Sequence, residues 1–189
     1  ISRGYYFVDK TWFIKELLDK KSSVNLFTRP RRFGKTLNMS MLQYYFEDMH
    51  TEDGKKRDNA SLFENKKILQ AGEQYLAHMG KYPVINLTFK DAKQPDFELA
   101  YDAIRRQVAN EFLRHKFILQ DDRLVEEKEE YLNIMRRKAD RGSYNQSITF
   151  LSRCLEKYYE RKVIILIDEY DVPFENAFTE KFYNEMIGF

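Results

Sequence analysis

Thr28-Arg29-Pro30-Arg31-Arg32-Phe33-Gly34-Lys35-Thr36 is the stretch on which the fold turns. Before it stands Val24-Asn25-Leu26-Phe27-Thr28, a mainly apolar run that reads as a strand and is stopped by Pro30. After it Leu37, Met41, Tyr44 and Tyr45 recur at helical spacing. A strand, a glycine-bearing turn and a helix, in that order, are the setting of the phosphate-binding pattern G-x-x-x-x-G-K-[ST]. Gly34, Lys35 and Thr36 supply its last three defined positions, while Arg29 stands at the first glycine. Glycine lets the backbone approach phosphate oxygens, and consecutive N–H groups at a helix start point at the anion. Lys35 is then the candidate bridge between β- and γ-phosphates, and the Thr36 hydroxyl a candidate Mg²⁺ ligand. A basic turn whose arginines are simply solvated would carry the same string.

A second half-motif lies far downstream. Val163-Ile164-Ile165-Leu166-Ile167 is five apolar residues in a row, rich in β-branched types, as expected of a central parallel strand buried on both faces. Asp168-Glu169-Tyr170-Asp171 follows directly. The C-terminal end of such a strand is where α/β sheets bind ligands. The order apolar strand, Asp, Glu is that of a Walker B site. Asp168 would hold Mg²⁺ through water, and Glu169 would orient or deprotonate an attacking water. Asp171 either supports the metal shell or caps the next turn. Acidic residues often follow strands, so each half-motif is weak by itself. Both together, in order and in context, point to a nucleotide site.

The remaining segments alternate in the same way. Asp9 reads as the N-cap of a helix over residues 10–20, with Phe13, Ile14, Leu17 and Leu18 on one face. Gly80 and Pro83 frame the strand Val84-Ile85-Asn86-Leu87-Thr88-Phe89, and residues 51–59 read as an exposed loop. Pro95 opens a long helical pattern through Phe97, Tyr101, Ile104, Val108 and Phe112. A charged helix is expected over 122–137, ending near Gly142, and Ile148, Leu151, Leu155 and Tyr158 mark another. The order implies an α/β fold with a mainly parallel sheet flanked by helices.

Composition narrows the function classes. Only 7 Gly and 4 Pro in 189 residues, with 43% hydrophobic residues, exclude a disordered or collagen-like chain. Lys and Arg number 32 against 30 acidic residues, and a net charge of +2 argues against a strongly basic nucleic-acid binder. A single cysteine cannot form an internal disulfide, which suits a reducing, cytoplasmic setting. Cys154 shares a helical stripe with Leu151 and Leu155 and reads as core. No apolar run approaches the ~20 residues of a membrane span. The three histidines, His50, His78 and His115, are scattered and suggest no zinc site. Pro95-Asp96 and Glu126-Glu127-Lys128 imitate a nuclease pattern, but in helical surroundings unsuited to that metal chemistry. The first residue, Ile1, and the apolar last residues suggest a piece of a longer protein.

Taken together, the chain resembles the bacterial AAA-ATPase-like family. The matching strings are Tyr6-Phe7-Val8-Asp9-Lys10-Thr11 with Phe13-Ile14, then Arg29-Pro30-Arg31-Arg32-Phe33-Gly34-Lys35-Thr36-Leu37. Lys81-Tyr82-Pro83-Val84-Ile85, the run from Ile165 through Asp168 and Glu169 to Pro173, and Phe182-Tyr183-Asn184-Glu185-Met186 complete them. This family itself carries Arg where a generic loop has its first Gly, so Arg29 is no departure. The resemblance implies a P-loop NTPase of the additional-strand (ASCE) type. Residues 1–189 would be its N-terminal portion, truncated after the Walker B strand and lacking the sensor strand. It also implies a C-terminal PD-(D/E)XK nuclease-like module in the same chain, with nucleic acid reached through that module. The implied activity is ATP binding and Mg²⁺-dependent hydrolysis that drives or regulates the module, although this piece alone would be an incomplete ATPase. Glu169 and Lys35 would be catalytic. Arg31, Arg32, Phe33, Gly34, Lys35, Thr36 and Leu37 would hold the nucleotide, and Thr36 and Asp168 the metal. Two alternatives stay open: a nucleotide-binding regulator that does not hydrolyse, and a nucleic-acid-binding module using the cluster of Arg29, Arg31 and Arg32. Tyr6 and Phe7 stand where related ATPases hold adenine, although core packing suits such aromatics better.

Overall fold

The computed structural model describes residues 8–28, 33–51 and 53–188. They belong to two units, one formed by Ile1–Met49 and Lys56–Val84, the other by His50–Lys55 and Ile85–Phe189. The chain therefore changes unit three times, at residues 49–50, 55–56 and 84–85.

In the first unit, helix α1 (Trp12–Lys20) starts later than the sequence suggests, because Asp9 has other partners. One Asp9 oxygen accepts the Thr11 N–H and hydroxyl at 2.9 and 2.7 Å, and the other accepts the Lys67 N–H at 2.8 Å. The buried Thr11 hydroxyl in turn accepts the Ile68 N–H at 3.1 Å. Two short side chains thus fasten residues 9–11 to the 3₁₀ turn Lys67–Gln70.

Helix α2 (Lys35–Phe46) begins where the motif places it. It buries Met41, Leu42, Tyr45 and Phe46, whereas Leu37 and Tyr44, expected on the apolar stripe, are exposed. The C-terminal half is the anchored half. The carbonyls of Tyr45 and Phe46 accept N–H groups from Gly80, Lys81 and Tyr82, and Glu47 makes a parallel bridge to Tyr82. Tyr45 packs edge-on against Phe46 and Phe63 and donates its hydroxyl to the Tyr75 carbonyl at 3.0 Å. Burial pushes that phenol up to about 12. Helix α3 (Glu73–Leu76) closes the unit.

Residues 24–28 correct the sequence reading. They form no strand, and Val24 and Leu26 are 81% and 66% exposed. An apolar pattern can assign a face, but a strand is fixed by the N–H and C=O groups of a neighbour. No described segment pairs with this one.

The second unit is built on a two-stranded parallel sheet of β1 (Val84–Thr88) and β2 (Ile164–Asp168). Between them run α4 (Phe97–Arg114), α5 (Lys128–Met135), α6 (Arg141–Asn145) and α7 (Ser147–Tyr159). Helices α8 (Val172–Thr179) and α9 (Tyr183–Ile187) follow β2. Asp96 caps α4 by accepting the Leu99 N–H at 2.9 Å, so Pro95 stands just outside the helix. Ala100, Ile104, Val108 and Phe112 of α4 meet Phe150, Leu151, Cys154 and Leu155 of α7 in one apolar cluster. Cys154 is buried, as its stripe implied.

The charged helix expected over 122–137 is interrupted. Asp121 accepts the Arg123 N–H and starts a separate 3₁₀ turn, Asp122–Leu124, before α5. Gly142 lies inside α6 rather than ending a helix, because Asp140 caps α6 through the Ser143 N–H. Strand β2 also departs from expectation. Leu166 and Asp168 are buried, but Ile165 and Ile167 are 44% and 41% exposed, so the described residues cover one face only.

Glu111 of α4 ties that helix to β1. It is 5% exposed, and its carboxylate accepts the Asn86 N–H at 2.7 Å and the Arg114 guanidinium at 2.5 and 3.1 Å. Burial pushes its pKa up, but His115 and Arg114 outweigh burial and hold the carboxyl at about 2. The short segment His50–Lys55 completes this unit: His50 lies 4.8 Å from the Phe117 ring and hydrogen-bonds with Tyr159 at 3.1 Å. Gly54 turns there at φ +81°, where a Cβ would come within 3.5 Å of Phe117. Among the described residues no helix is long and apolar enough to cross a membrane.

Candidate functional site

The sequence-derived site residues fall into two groups, one in each unit. In the first unit, Gly34 occupies the N-cap position of α2 at φ +77°, the left-handed region where glycine alone is unstrained. Its carbonyl accepts the Asn38 N–H at 3.0 Å, so the loop ends and the helix starts at this one residue. Lys35 is the first helical residue and Thr36 the second, and the first turn holds no acidic residue. Among the described residues the Lys35 ammonium has no hydrogen-bond or ion-pair partner. Phe33 and Leu37 flank the group at 57% and 55% exposure. Arg31 and Arg32, like Arg29, lie outside the described residues.

In the second unit, Asp168 is the last residue of β2 and is buried. Its carbonyl accepts the Phe89 N–H at 3.1 Å, and its carboxylate accepts the Glu169 N–H at 3.1 Å. Glu169 has φ +55°, a left-handed conformation that costs a residue with a Cβ roughly 1–2 kcal/mol. The chain reverses there, and the Val172 N–H returns to the Glu169 carbonyl at 3.2 Å. Asp171 occupies the N-cap position of α8 without a side-chain capping bond, and Pro173 lies in the first turn. The turn reading of Asp171 therefore does not extend to its carboxylate.

Sequence reasoning missed one residue that ties the helix after this turn to the loop following β1. Asn176, on α8 and 7% exposed, donates its amide to the Gln94 carbonyl at 2.5 Å. Gln94 is on the loop that follows β1, 82 residues away in sequence, and no local pattern announces the pair. Asn176→Ala is expected to lower unfolding stability by about 1 kcal/mol, read as a shifted denaturant midpoint. The same loop borders an open polar groove of about 430 Å³, lined among others by Lys90, Lys93, Asp102 and Arg106. None of the sequence-derived site residues lines it.

Chemically, a helix start carrying an unpaired ammonium suits an anion, through the positive helix end as well as the side chain. A buried aspartate at a strand terminus and a threonine hydroxyl are hard oxygen donors. Each is of a type that Mg²⁺ accepts, an ion that takes few protein ligands and keeps phosphate and water for the rest. No group of three or more metal-ligating side chains occurs among the described residues.

A small parallel sheet with helices, and a glycine-lysine-threonine turn opening one of them, is consistent with a P-loop-like domain. A family model described as "Predicted AAA-ATPase" matches residues 1–189, and the chain belongs to that family. Comparisons with curated proteins and with solved structures gave no match.

Proposed function

We propose that the protein binds ATP and hydrolyses it with Mg²⁺, as a P-loop ATPase of the additional-strand type. The observation that carries the proposal is the opening of α2, where Gly34 turns left-handed and Lys35, without a partner among the described residues, meets no acidic residue in the first turn. Family membership supports it independently.

In this reading the N–H groups from Gly34 onward and the Lys35 ammonium take the charge of the phosphate chain, assisted by Arg31 and Arg32. Phe33 and Leu37 border the nucleotide. The Thr36 hydroxyl and the Asp168 carboxylate would hold Mg²⁺, which when bound neutralises the phosphate oxygens and orients the γ-phosphate. Glu169 accepts the proton of a water whose oxygen bonds to the γ-phosphorus. The bond from that phosphorus to the β–γ bridging oxygen breaks, and ADP and phosphate leave. A nuclease-like module in the same protein, driven or regulated by this cycle, belongs to the proposal through the family resemblance.

The direct test is binding. The wild-type protein should take up Mg²⁺-ATP in isothermal titration, and Lys35→Ala should weaken it about 10- to 100-fold, the scale of a charge-assisted contact. A wild-type protein that binds no ATP would sink the proposal.

A further inference from the structure

The sequence string Asp9-Lys10-Thr11 acquires a meaning in the fold that its spacing does not disclose. Asp9 and Thr11 are both fastened to the 67–68 backbone, and the Lys10 carbonyl accepts the Phe13 N–H at 3.0 Å. The backbone of Lys10 is therefore held on both sides. From this fixed point its side chain reaches Gly34: the Lys10 Nζ lies 3.7 Å from where a Cβ on Gly34 would stand. Among the described residues this ammonium has no hydrogen-bond or ion-pair partner.

Gly34 is the residue whose missing side chain leaves room for a phosphate, and Lys35 follows it. A second ammonium is thus brought to the same backbone, next to the positive end of a helix whose first turn has no carboxylate. The Lys10 ammonium and the helix end together place positive charge beside Gly34. The nearest carboxylate along the chain, Asp9, is already engaged by Thr11 and by the Lys67 N–H. A ligand carrying several negative charges matches that positive charge, and a nucleoside polyphosphate has that chemistry.

We propose that Lys10 is a phosphate-contacting residue of the nucleotide site, reaching the polyphosphate from beside Gly34. The inference rests on reading Gly34, Lys35 and Thr36 as the phosphate loop. It assigns a role to a residue outside that motif, 24 positions before Gly34.

The test compares wild type, Lys10→Met, Lys10→Arg and Lys35→Ala as intact proteins, titrated with ATP and with ADP at two salt concentrations. Lys10→Met keeps the length of the stem and removes the charge. It should weaken ATP and ADP binding about tenfold, the lower range of a charge-assisted hydrogen bond. Lys10→Arg should restore affinity to within about threefold, because it returns the cation. The Met variant should also show a shallower dependence of affinity on salt. Without nucleotide its melting midpoint should match that of wild type, since the side chain is exposed. Lys10→Met binding like wild type, while Lys35→Ala binds about 10- to 100-fold more weakly, overturns the role of Lys10 and leaves the phosphate-loop reading intact. Equal loss in the Met and Arg variants also overturns it, because it assigns Lys10 a steric role. Absence of nucleotide binding in the wild type removes both.

Discussion

Glu169→Gln is expected to bind ATP as tightly as the wild type and to hydrolyse it about 10²- to 10⁴-fold more slowly, the usual contribution of a general base. The substitution isolates the chemistry well. Gln has the same length and the same Cβ, so the left-handed backbone at φ +55° carries the same cost in both proteins. The N–H that Glu169 donates to the Asp168 carboxylate is a backbone group and is retained. What disappears is the ability to accept a proton from water. Steady-state phosphate release beside ATP titration separates the two effects. Equal, very slow turnover in both proteins with normal ATP binding would make the protein a nucleotide-binding regulator rather than an ATPase.

Glu111→Ala is expected to lower unfolding stability by about 3 kcal/mol at neutral pH, the cost of breaking a buried ionic pair. The variant leaves the Asn86 N–H without its acceptor and Arg114 without its carboxylate, next to the buried His115. The pH dependence has a definite sign. The folded carboxyl titrates at about 2, below its ordinary 4.5, so its stabilisation is complete above 4.5 and is lost as the pH falls from there through about 2. Denaturant midpoints should therefore differ most at neutral pH and converge in acid. A variant within about 0.5 kcal/mol of wild type at pH 7 would show that the network does not hold α4 to β1.

The contrast between what the sequence disclosed and what it did not has a physical basis. The start of α2, the strands β1 and β2, and the buried faces of α4 and α7 follow from local periodicity and from glycine and proline positions. The places of Gly34, Lys35 and Thr36 at the start of α2, and of Asp168 and Glu169 at the end of β2, were legible for the same reason, since each half-motif is contiguous. Residues 24–28 were misread because a strand is completed by a partner, and pairing is not a local property. The face of α2 was misread because backbone contacts from residues 80–82, well downstream of the helix, decide which half is anchored. The charged segment 122–137 broke at Asp121, whose side chain takes a local N–H in competition with the helix. The bond of Asn176 to Gln94 and the approach of Lys10 to Gly34 arise only through folding, between residues far apart in sequence.

The threefold passage of the chain between the two units bears on how the protein can be divided. A deletion that starts the chain at Ile85 keeps nearly all of the second unit yet removes His50–Lys55. It would strip the imidazole from beside Phe117 and Tyr159, and the Gly54 turn with it. A fragment ending at Val84 carries those six residues away from the unit to which they belong. No single boundary in the gene therefore yields either unit whole and free of the other.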